Sequence, residues 1–270
     1  MQNRYRAAMI GGFAIAAAAA LTSAATAGAD ALPDSPFGGW GDCPISNPDT
    51  STCVGVTVKG GTMQIGKLSV DVPNDSLRVA GGLAFPEEPN NPNGFDQVFV
   101  PPTDGSGGIY SKPISIPGGA LGIDLPFNNL FGLNAATATV ELAGNNNPSL
   151  DVFEQSVKMP VKLRIANPLL GNKCYLGSDT TPVQMNLDVS KAGTLQAIPG
   201  ANMGASFRNV EHAAEPFAVP AASGCGPFGV LNPIVNWRAG TPSLEAKNSL
   251  ITTSDVFTND ADAVRGMQNP

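Results

Sequence analysis

His212 is the only histidine in the chain and the natural candidate for a general base near neutral pH. A hydrolase of the Ser-His-Asp type needs such a base within hydrogen-bond reach of a serine, with a third group to orient it. Ser206 and Ser223 are candidate nucleophiles, and Glu211 and Glu215 could orient the imidazole. This set of residues defines one possible function, a secreted serine esterase or lipase-like hydrolase.

The nucleophile motif of the commonest esterase folds is absent from the sequence. That motif, Gly-x-Ser-x-Gly, presents the serine on a strained turn flanked by glycines. The nearest match, Gly204-Ala-Ser206-Phe-Arg208, lacks the final glycine, and residues 209–216 have the composition of a polar connection. We therefore expect His212 to lie at the surface without a catalytic role, and its replacement by alanine to change neither fold nor function. The esterase is kept as the alternative to a non-catalytic protein.

Other site chemistries have weak signals. Sites that bind or cleave glycans usually offer aromatic platforms, but the chain has only two tryptophans and three tyrosines. The acidic segment 259–262 and Asp96 do not match the spacing of an EF-hand loop. The glycine-rich segment 105–108 lacks the lysine and the following helix of a phosphate-binding loop. We predict no metal and no cofactor.

Four cysteines, Cys43, Cys53, Cys174 and Cys225, are an even number, which in an exported chain indicates two disulfides. Three pairings are possible. We favour Cys43–Cys53 and Cys174–Cys225, because each pair is then local within its own half of the chain. A four-cysteine zinc site is the competing interpretation, but the sequence has no Cys-x-x-Cys pair.

Composition excludes several classes of protein. The chain has 270 residues, a net charge of −7 and only 15 lysines and arginines, which argues against nucleic-acid binding. A hydrophobic content of 42% can fill a core, so disorder is not expected. The 31 glycines and 24 prolines argue against a helical bundle. A loop-rich, all-β protein remains.

The N-terminal segment has the layout of a signal peptide. Arg4 and Arg6 precede an apolar run over residues 7–21, and small residues follow up to Ala29. We predict a signal peptide at 1–29 and a secreted, extracellular or cell-envelope location, with no membrane span in the mature form. Removing this segment would leave a net charge of −9, since it contains two arginines and no acidic residue. Such an acidic protein is expected to stay soluble and to avoid anionic lipid surfaces.

Short alternating apolar runs, bounded by Gly, Pro, Asn or Asp, predict the strands. The clearest covers 157–165, where the odd-numbered residues are apolar and Lys158, Lys162 and Arg164 occupy the other face. Pro160 lies on that polar face, which favours an edge strand or a bulge. One short helix is predicted near Leu231–Arg238. The other predicted strands lie within 54–58, 65–72, 77–79, 97–100, 114–116, 121–125, 137–142 and 183–189.

The predicted fold is an antiparallel β-sandwich with long Gly/Pro-rich loops and at most one or two short helices. Residues 30–53 are turn-rich and are interpreted as an irregular N-terminal arm held by the first disulfide. Residues 54–270 would form a single domain, with a possible internal break near 143–148, where the sequence is Ala-Gly-Asn-Asn-Asn-Pro.

Two segments of the C-terminal half carry a recognisable pattern. One is Met159-Pro-Val-Lys-Leu-Arg-Ile-Ala-Asn-Pro-Leu-Leu-Gly-Asn-Lys-Cys174-Tyr-Leu-Gly-Ser178; the other is Pro216-Phe-Ala-Val-Pro-Ala-Ala-Ser-Gly-Cys225-Gly226, followed by Leu231-Asn-Pro-Ile-Val-Asn236 and Gly240-Thr-Pro-Ser243. Over roughly residues 157–255 the chain resembles a family of small secreted proteins of actinobacteria. Each segment contains one cysteine, so the resemblance supports the Cys174–Cys225 pairing. Some members of such families carry an esterase label, but no residue here justifies its transfer.

Three functions are therefore considered. The first is a non-catalytic, disulfide-stabilised envelope or extracellular protein that acts through surface contacts with an unknown envelope or extracellular component. The second is the esterase built on His212 with Ser206 or Ser223. The third is a carrier of a small apolar ligand, held in the space between two sheets.

Overall fold

The computed structural model describes residues 40–86, 97–118, 135–144, 147–198 and 204–268. The predicted signal peptide and the strand predicted at 121–125 lie outside these residues. Within them the protein is all-β, as predicted, with antiparallel strands and few short helices. The strands are β1 (Thr52–Ile65), β2 (Leu68–Val72), β3 (Leu77–Ala84), β4 (Val98–Val100), β5 (Ile109–Ser111), β6 (Ile114–Ser115), β7 (Thr137–Leu142), β8 (Ser149–Asp151), β9 (Ser156–Asn167), β10 (Gly171–Leu176), β11 (Val183–Lys191), β12 (Thr194–Ala197), β13 (Ala205–Ala214), β14 (Ala222–Ser223) and β15 (Asn248–Asp260).

Two α-helices accompany the strands, α1 (Asn232–Ala239) and α2 (Ala261–Gln268), and α1 confirms the helix predicted near residues 231–238. Short 3-10 turns lie at Trp40–Asp42, Pro227–Gly229 and Glu245–Lys247. Among the described residues, no helix has both the length and the apolar composition needed to cross a membrane.

The described strands form one continuous antiparallel sheet, so the division into two facing sheets is not confirmed. β9 pairs with β10 and β11 on one side and with β7 and β8 on the other. The sheet continues from β11 through β13, β15 and β1 to β3, which carries β4 and β5. The sheet is curled, so that β7 meets β5: the backbone N–H of Val140 in β7 donates to Ser111 Oγ in β5 at 3.0 Å. Similarly, the N–H of Val152 after β8 donates to Gln97 Oε1 before β4 at 3.0 Å.

The main core fills the inside of the curled sheet. In β1, Val56 faces inward opposite Val79 of β3 and Val256 of β15, and all three are buried. The apolar face predicted for β9 is confirmed, since Val157, Met159, Val161, Leu163 and Ile165 are each at most 5% exposed. Alternation with period two therefore sets which face of these strands enters the core.

Of the two placements predicted for Pro160, an edge strand or a bulge, the edge strand is wrong. β9 has neighbours on both sides, but Pro160 lies opposite the connection between β7, which ends beside Val161, and β8, which begins beside Lys158. Its carbonyl accepts a hydrogen bond from Ala143 N at 2.9 Å. Neither β7 nor β8 pairs with β9 at Pro160. The backbone N–H that proline lacks is therefore not needed for a hydrogen bond to either strand.

The N-terminal arm and α2 cover the outer face of β1 and β15. Trp40, Cys43 and Val264 pack there with Phe257 of β15 in a second, smaller core. Arg265 of α2 donates hydrogen bonds to the carbonyls of residues 45, 47 and 50 at 2.8–2.9 Å. The arm is thus held by a disulfide between Cys43 and Cys53, by apolar packing and by these bonds.

Candidate functional site

His212 is buried inside the curled sheet, and the prediction of a surface histidine is wrong. It lies in β13, directly opposite Val189 of β11 and Thr252 of β15, and is 1% exposed. Val210, two residues earlier, is also buried, whereas Glu211 between them is not. The polar composition of residues 209–216 hid this alternation, which is that of a strand and not of a surface connection.

The surroundings of His212 hold the imidazole in a neutral state. Its Nε2–H donates to the carbonyl oxygen of Gln155 at 3.0 Å, which leaves Nδ1 without a proton. Burial lowers the pKa of His212 below its ordinary value of 6.5; the bond to Gln155 and the charge of Asp188 oppose this shift. The cavity beside the ring, also lined by Thr252 and Ser254, has a volume of about 20 Å³, which holds about one water molecule.

The structure does not bring the candidate catalytic residues together. Ser206 is six residues before His212 in the same strand, about 20 Å away, and it shares the outer face with Phe257, where its Oγ donates to the Gln196 carbonyl. Ser223 also lies far from His212. The strand register places Ser223 level with Arg164 of β9, whereas the His212 ring contacts Gln155, nine residues earlier in the chain. Ser223 and His212 are therefore separated by about 30 Å along β9.

The two glutamates near His212 in sequence do not orient its ring. Glu211 accepts a hydrogen bond from Ser190 Oγ at 3.3 Å, and Glu215 accepts one from Asn186 Nδ2 at 2.9 Å. Both contacts are exposed, and the His212 ring bonds to a backbone carbonyl instead. A nucleophile, a base and an orienting acid therefore do not converge at any of the predicted site residues.

Protonation of His212 is expected to destabilise the fold. Because its pKa is lower in the folded state, the unfolded chain binds more protons between that pKa and about 6.5, and stability falls as the pH drops through this window. The slope cannot exceed about 1.4 kcal/mol per pH unit, since one proton is involved. Melting temperatures measured between about pH 7.5 and about pH 5.5 test this.

A His212→Gln variant is the control for this effect, because glutamine can still donate to the Gln155 carbonyl but does not titrate. The pKa of Asp42 is raised by burial, so the quantity to compare is the difference in slope between wild type and variant. Equal slopes for the two proteins would refute the assignment to His212. The buried position also means that His212→Ala is expected to lower stability, contrary to the sequence-based expectation.

One surface cleft of about 560 Å³ lies between the β4–β5 connection and strands β7 and β9. Its charged residues are engaged with neighbours: Lys162 pairs with Asp179 at 2.7 Å, and Glu141 pairs with Arg164 at 2.9 Å. Within the described ranges, no cluster of three His, Cys, Asp or Glu residues could hold a metal ion. Neither observation assigns this cleft a chemistry.

An exposed apolar surface surrounds α1 and the second disulfide. Among the described residues, ten large apolar side chains are exposed, and five of them lie on α1, on the turn that precedes it or on the β9–β10 connection. We call it the α1 surface and define it by Leu169, Phe228, Val230, Ile234 and Trp237.

The helix has two apolar faces. Leu231, Val235 and Ala239 repeat every four residues and turn towards the core, where the last two are buried. Val230 is already in the helical conformation, so Ile234 and Trp237 follow it at spacings of four and three on the opposite face. Ile234 is 50% and Trp237 is 71% exposed. A helix at the surface of a globular protein normally carries polar residues there.

The loop that presents Phe228 is tightly held. A disulfide joins Cys174 of β10 to Cys225, the pairing favoured from the sequence. The next residue, Gly226, donates its N–H to the Leu170 carbonyl at 2.8 Å, and Asn232 Oδ1 accepts from Cys225 N at 2.8 Å. Phe228 has a φ of 55°, unusual for a residue with a side chain, and is 106% exposed. The backbone is thus fixed in a conformation that projects this ring into solvent.

The C-terminal end of α1 is fixed to the β1–β2 turn. Gly240 ends the helix in the left-handed conformation, and Lys67 N donates to the Ala239 carbonyl at 2.9 Å. Lys67 Nζ lies 5.9 Å from the centre of the Trp237 ring, a cation–π distance. Sequence reasoning identified the helix and the disulfide, but it missed the exposed face.

No protein-family model, curated protein or solved structure matches the chain. The resemblance to secreted actinobacterial proteins therefore stays a prediction.

Proposed function

We propose that the protein is an exported, non-catalytic protein of the cell envelope or extracellular space that binds its partner through the α1 surface. The observation that carries the proposal is the exposure of five large apolar side chains on a segment tied down by a disulfide. Contiguous exposed apolar area is costly in water and marks interaction sites in folded proteins. The segments that carry the resemblance to secreted actinobacterial proteins include Leu169 and most of α1, which is consistent with a shared binding role.

The two disulfides support a location outside the reducing cytosol, and the separation of His212 from Ser206 and Ser223 supports a non-catalytic role. A carrier role inside the sheet gains no support from the described residues, since the cavity beside His212 holds about one water.

Binding to envelope fragments of the producing cells tests the proposal. The double variant Phe228→Ser/Trp237→Ser is expected to lose at least about ten-fold in affinity, because two large side chains no longer become buried on binding. The matched control is Phe153→Ser/Leu195→Ser, which changes side chains that are 68% and 62% exposed elsewhere. Co-sedimentation measures both. Equal binding of the two variants, or no binding by wild type, would refute the proposed role of the α1 surface.

We expect no hydrolysis of a short-chain nitrophenyl ester or a cholesteryl ester above background. A fluorophosphonate probe is expected to leave Ser206 and Ser223 unlabelled, because His212 lies about 20 Å from Ser206 and about 30 Å from Ser223. Turnover that is abolished by Ser206→Ala or Ser223→Ala, with an unchanged circular dichroism spectrum, would replace the binding role with the esterase.

A further inference from the structure

We propose that the α1 surface docks on the surface of an anionic phospholipid bilayer. This inference rests on the proposed function and names the partner of the same site. It follows from the shape of the surface, from its aromatic and basic residues, and from the distribution of charge along the chain.

The Phe228 side chain projects from the α1 surface, next to a shallow cleft of about 510 Å³ that Leu169, Lys173 and Phe228 help to line. Phe228 is fully exposed at the tip of its turn, between Gly226 and Gly229, and Val230 beside it is 63% exposed. A protein partner would need a pocket of matching shape to bury such a projection. The boundary between headgroups and acyl chains accepts projecting apolar side chains without a preformed pocket.

The residue types fit the same boundary. Trp237 lies on the face of α1 that also carries Ile234, and Lys67 stands over its ring. Tryptophan is enriched at membrane–water interfaces, where its amphipathic ring sits at the level of the headgroups. A lysine at the rim can contact lipid phosphates while its methylene groups cover apolar surface.

Charge is distributed unevenly along this acidic chain. Residues 65–69, 167–176 and 222–247, which build the α1 surface and its rim, contain Lys67, Lys173, Arg238 and Lys247 but only one acidic residue, Glu245. Their local net charge is +3, against −7 for the whole chain. Among the described residues, none of the ion pairs involves these four basic side chains.

This local charge reverses the expectation drawn from the overall composition. At physiological ionic strength, charges further than about 8 Å from the lipid are largely screened, so the basic rim outweighs the distant carboxylates. Each lysine or arginine near an anionic leaflet strengthens binding about five-fold. The apolar side chains and the basic rim therefore act together, and neither requires a helix that spans the bilayer.

Trp237 provides a direct readout of docking. The other tryptophan of the described residues, Trp40, is 5% exposed in the second core. A change in the emission of solvent-exposed tryptophan can therefore be assigned to Trp237. Vesicles of phosphatidylcholine with about a third phosphatidylglycerol are expected to shift the emission to the blue and to reduce quenching by acrylamide. Vesicles of phosphatidylcholine alone are expected to bind at least about ten-fold more weakly.

Variants separate the apolar and electrostatic contributions in vesicle flotation. Phe228→Ser/Ile234→Ser is expected to reduce binding at least about ten-fold, whereas the control Phe153→Ser/Leu195→Ser is expected to bind like wild type. Lys67→Gln/Lys173→Gln is expected to weaken binding to anionic vesicles about ten-fold or more, with Lys158→Gln/Lys191→Gln as the charge-matched control. All eight positions are at or near the surface, and melting temperatures check that each variant is folded.

The two proposals fail in different ways. Wild type that binds envelope fragments through the α1 surface but ignores anionic vesicles would overturn the lipid inference and leave the binding role in place. Dimers seen by analytical ultracentrifugation, lost in Phe228→Ser/Ile234→Ser, together with absent vesicle binding, would assign the surface to a second copy of the chain. Equal effects of the α1-surface variants and their controls on vesicle binding would also overturn the lipid inference.

Discussion

Replacing Leu163 with aspartate is expected to remove most or all of the stability of the fold. Leu163 is 1% exposed in β9, opposite Val140 of β7 and Leu176 of β10. A carboxylate placed there would lie within the main cluster of buried apolar side chains. The expected cost exceeds about 4 kcal/mol, a large share of the roughly 5–15 kcal/mol that stabilises a folded domain. Urea unfolding followed by circular dichroism measures it.

The matched control is Lys158→Asp, which introduces the same side chain on the exposed face of the same strand. Its expected effect is within about 1 kcal/mol, since only β-propensity and surface charge change. Similar losses for the two variants would contradict the burial of Leu163.

Removing the Cys174–Cys225 disulfide by a double substitution to alanine is the second large expected effect. The bridge closes a loop with a sequence separation of 51, against 10 for Cys43–Cys53. In the loop-entropy treatment the longer bridge is worth about 4 kcal/mol and the shorter about 3 kcal/mol. Thermal unfolding of both double variants, compared with oxidised wild type, gives the order. A larger loss for the Cys43–Cys53 variant would mean that attachment of the N-terminal arm outweighs loop length.

The same substitution separates the α1 surface from its support. Gly226 and Asn232 would keep their hydrogen bonds, but the covalent link from the Phe228 loop to β10 would be lost. We expect faster backbone hydrogen exchange over residues 224–231 in this variant, with little change at the second core around Phe257.

Strands that alternate apolar and polar residues were predictable from the sequence. β7 has the predicted bounds, and the inward set of β9 is the predicted one. β13 and β15 were missed because several of their inward positions are polar. In β15, Thr252 and Ser254 face the interior between Leu250 and Val256, and His212 faces them from β13. Small hydroxyl side chains beside a water-sized cavity make such positions tolerable, but they erase the alternation on which the prediction depends.

Sheet organisation could not be read from strand patterns alone. Alternation reveals which face of a strand is buried, but not which strand lies beside it. The contacts that curl the sheet, such as Val140 N to Ser111 Oγ, join segments with unrelated sequence patterns. Pro160 shows the same limit, since only the gap between β7 and β8 explains its place in an inner strand.

The candidate site was only partly predictable. The disulfide followed from the position of its cysteines, and α1 followed from local sequence. The exposed face of α1 gave no signal, because apolar residues on two sides of a short helix look like a buried helix. Exposure of Trp237 and Phe228 depends on what the rest of the chain leaves uncovered, which is a property of the tertiary structure.

The position of β15 has a consequence for how the chain acquires its structure. This strand joins β1 to β13 in the middle of the sheet, and its register pairs Thr52 with Asp260. The part of the sheet that contains β1 and the part that contains β13 therefore cannot be joined through β15 until this strand has been synthesised. Such long-range pairing slows folding. In a chain exported through a narrow pore, this delay would favour passage before folding. A chain arrested before Asn248 would expose the unpaired edges of β1 and β13, both templates for aggregation.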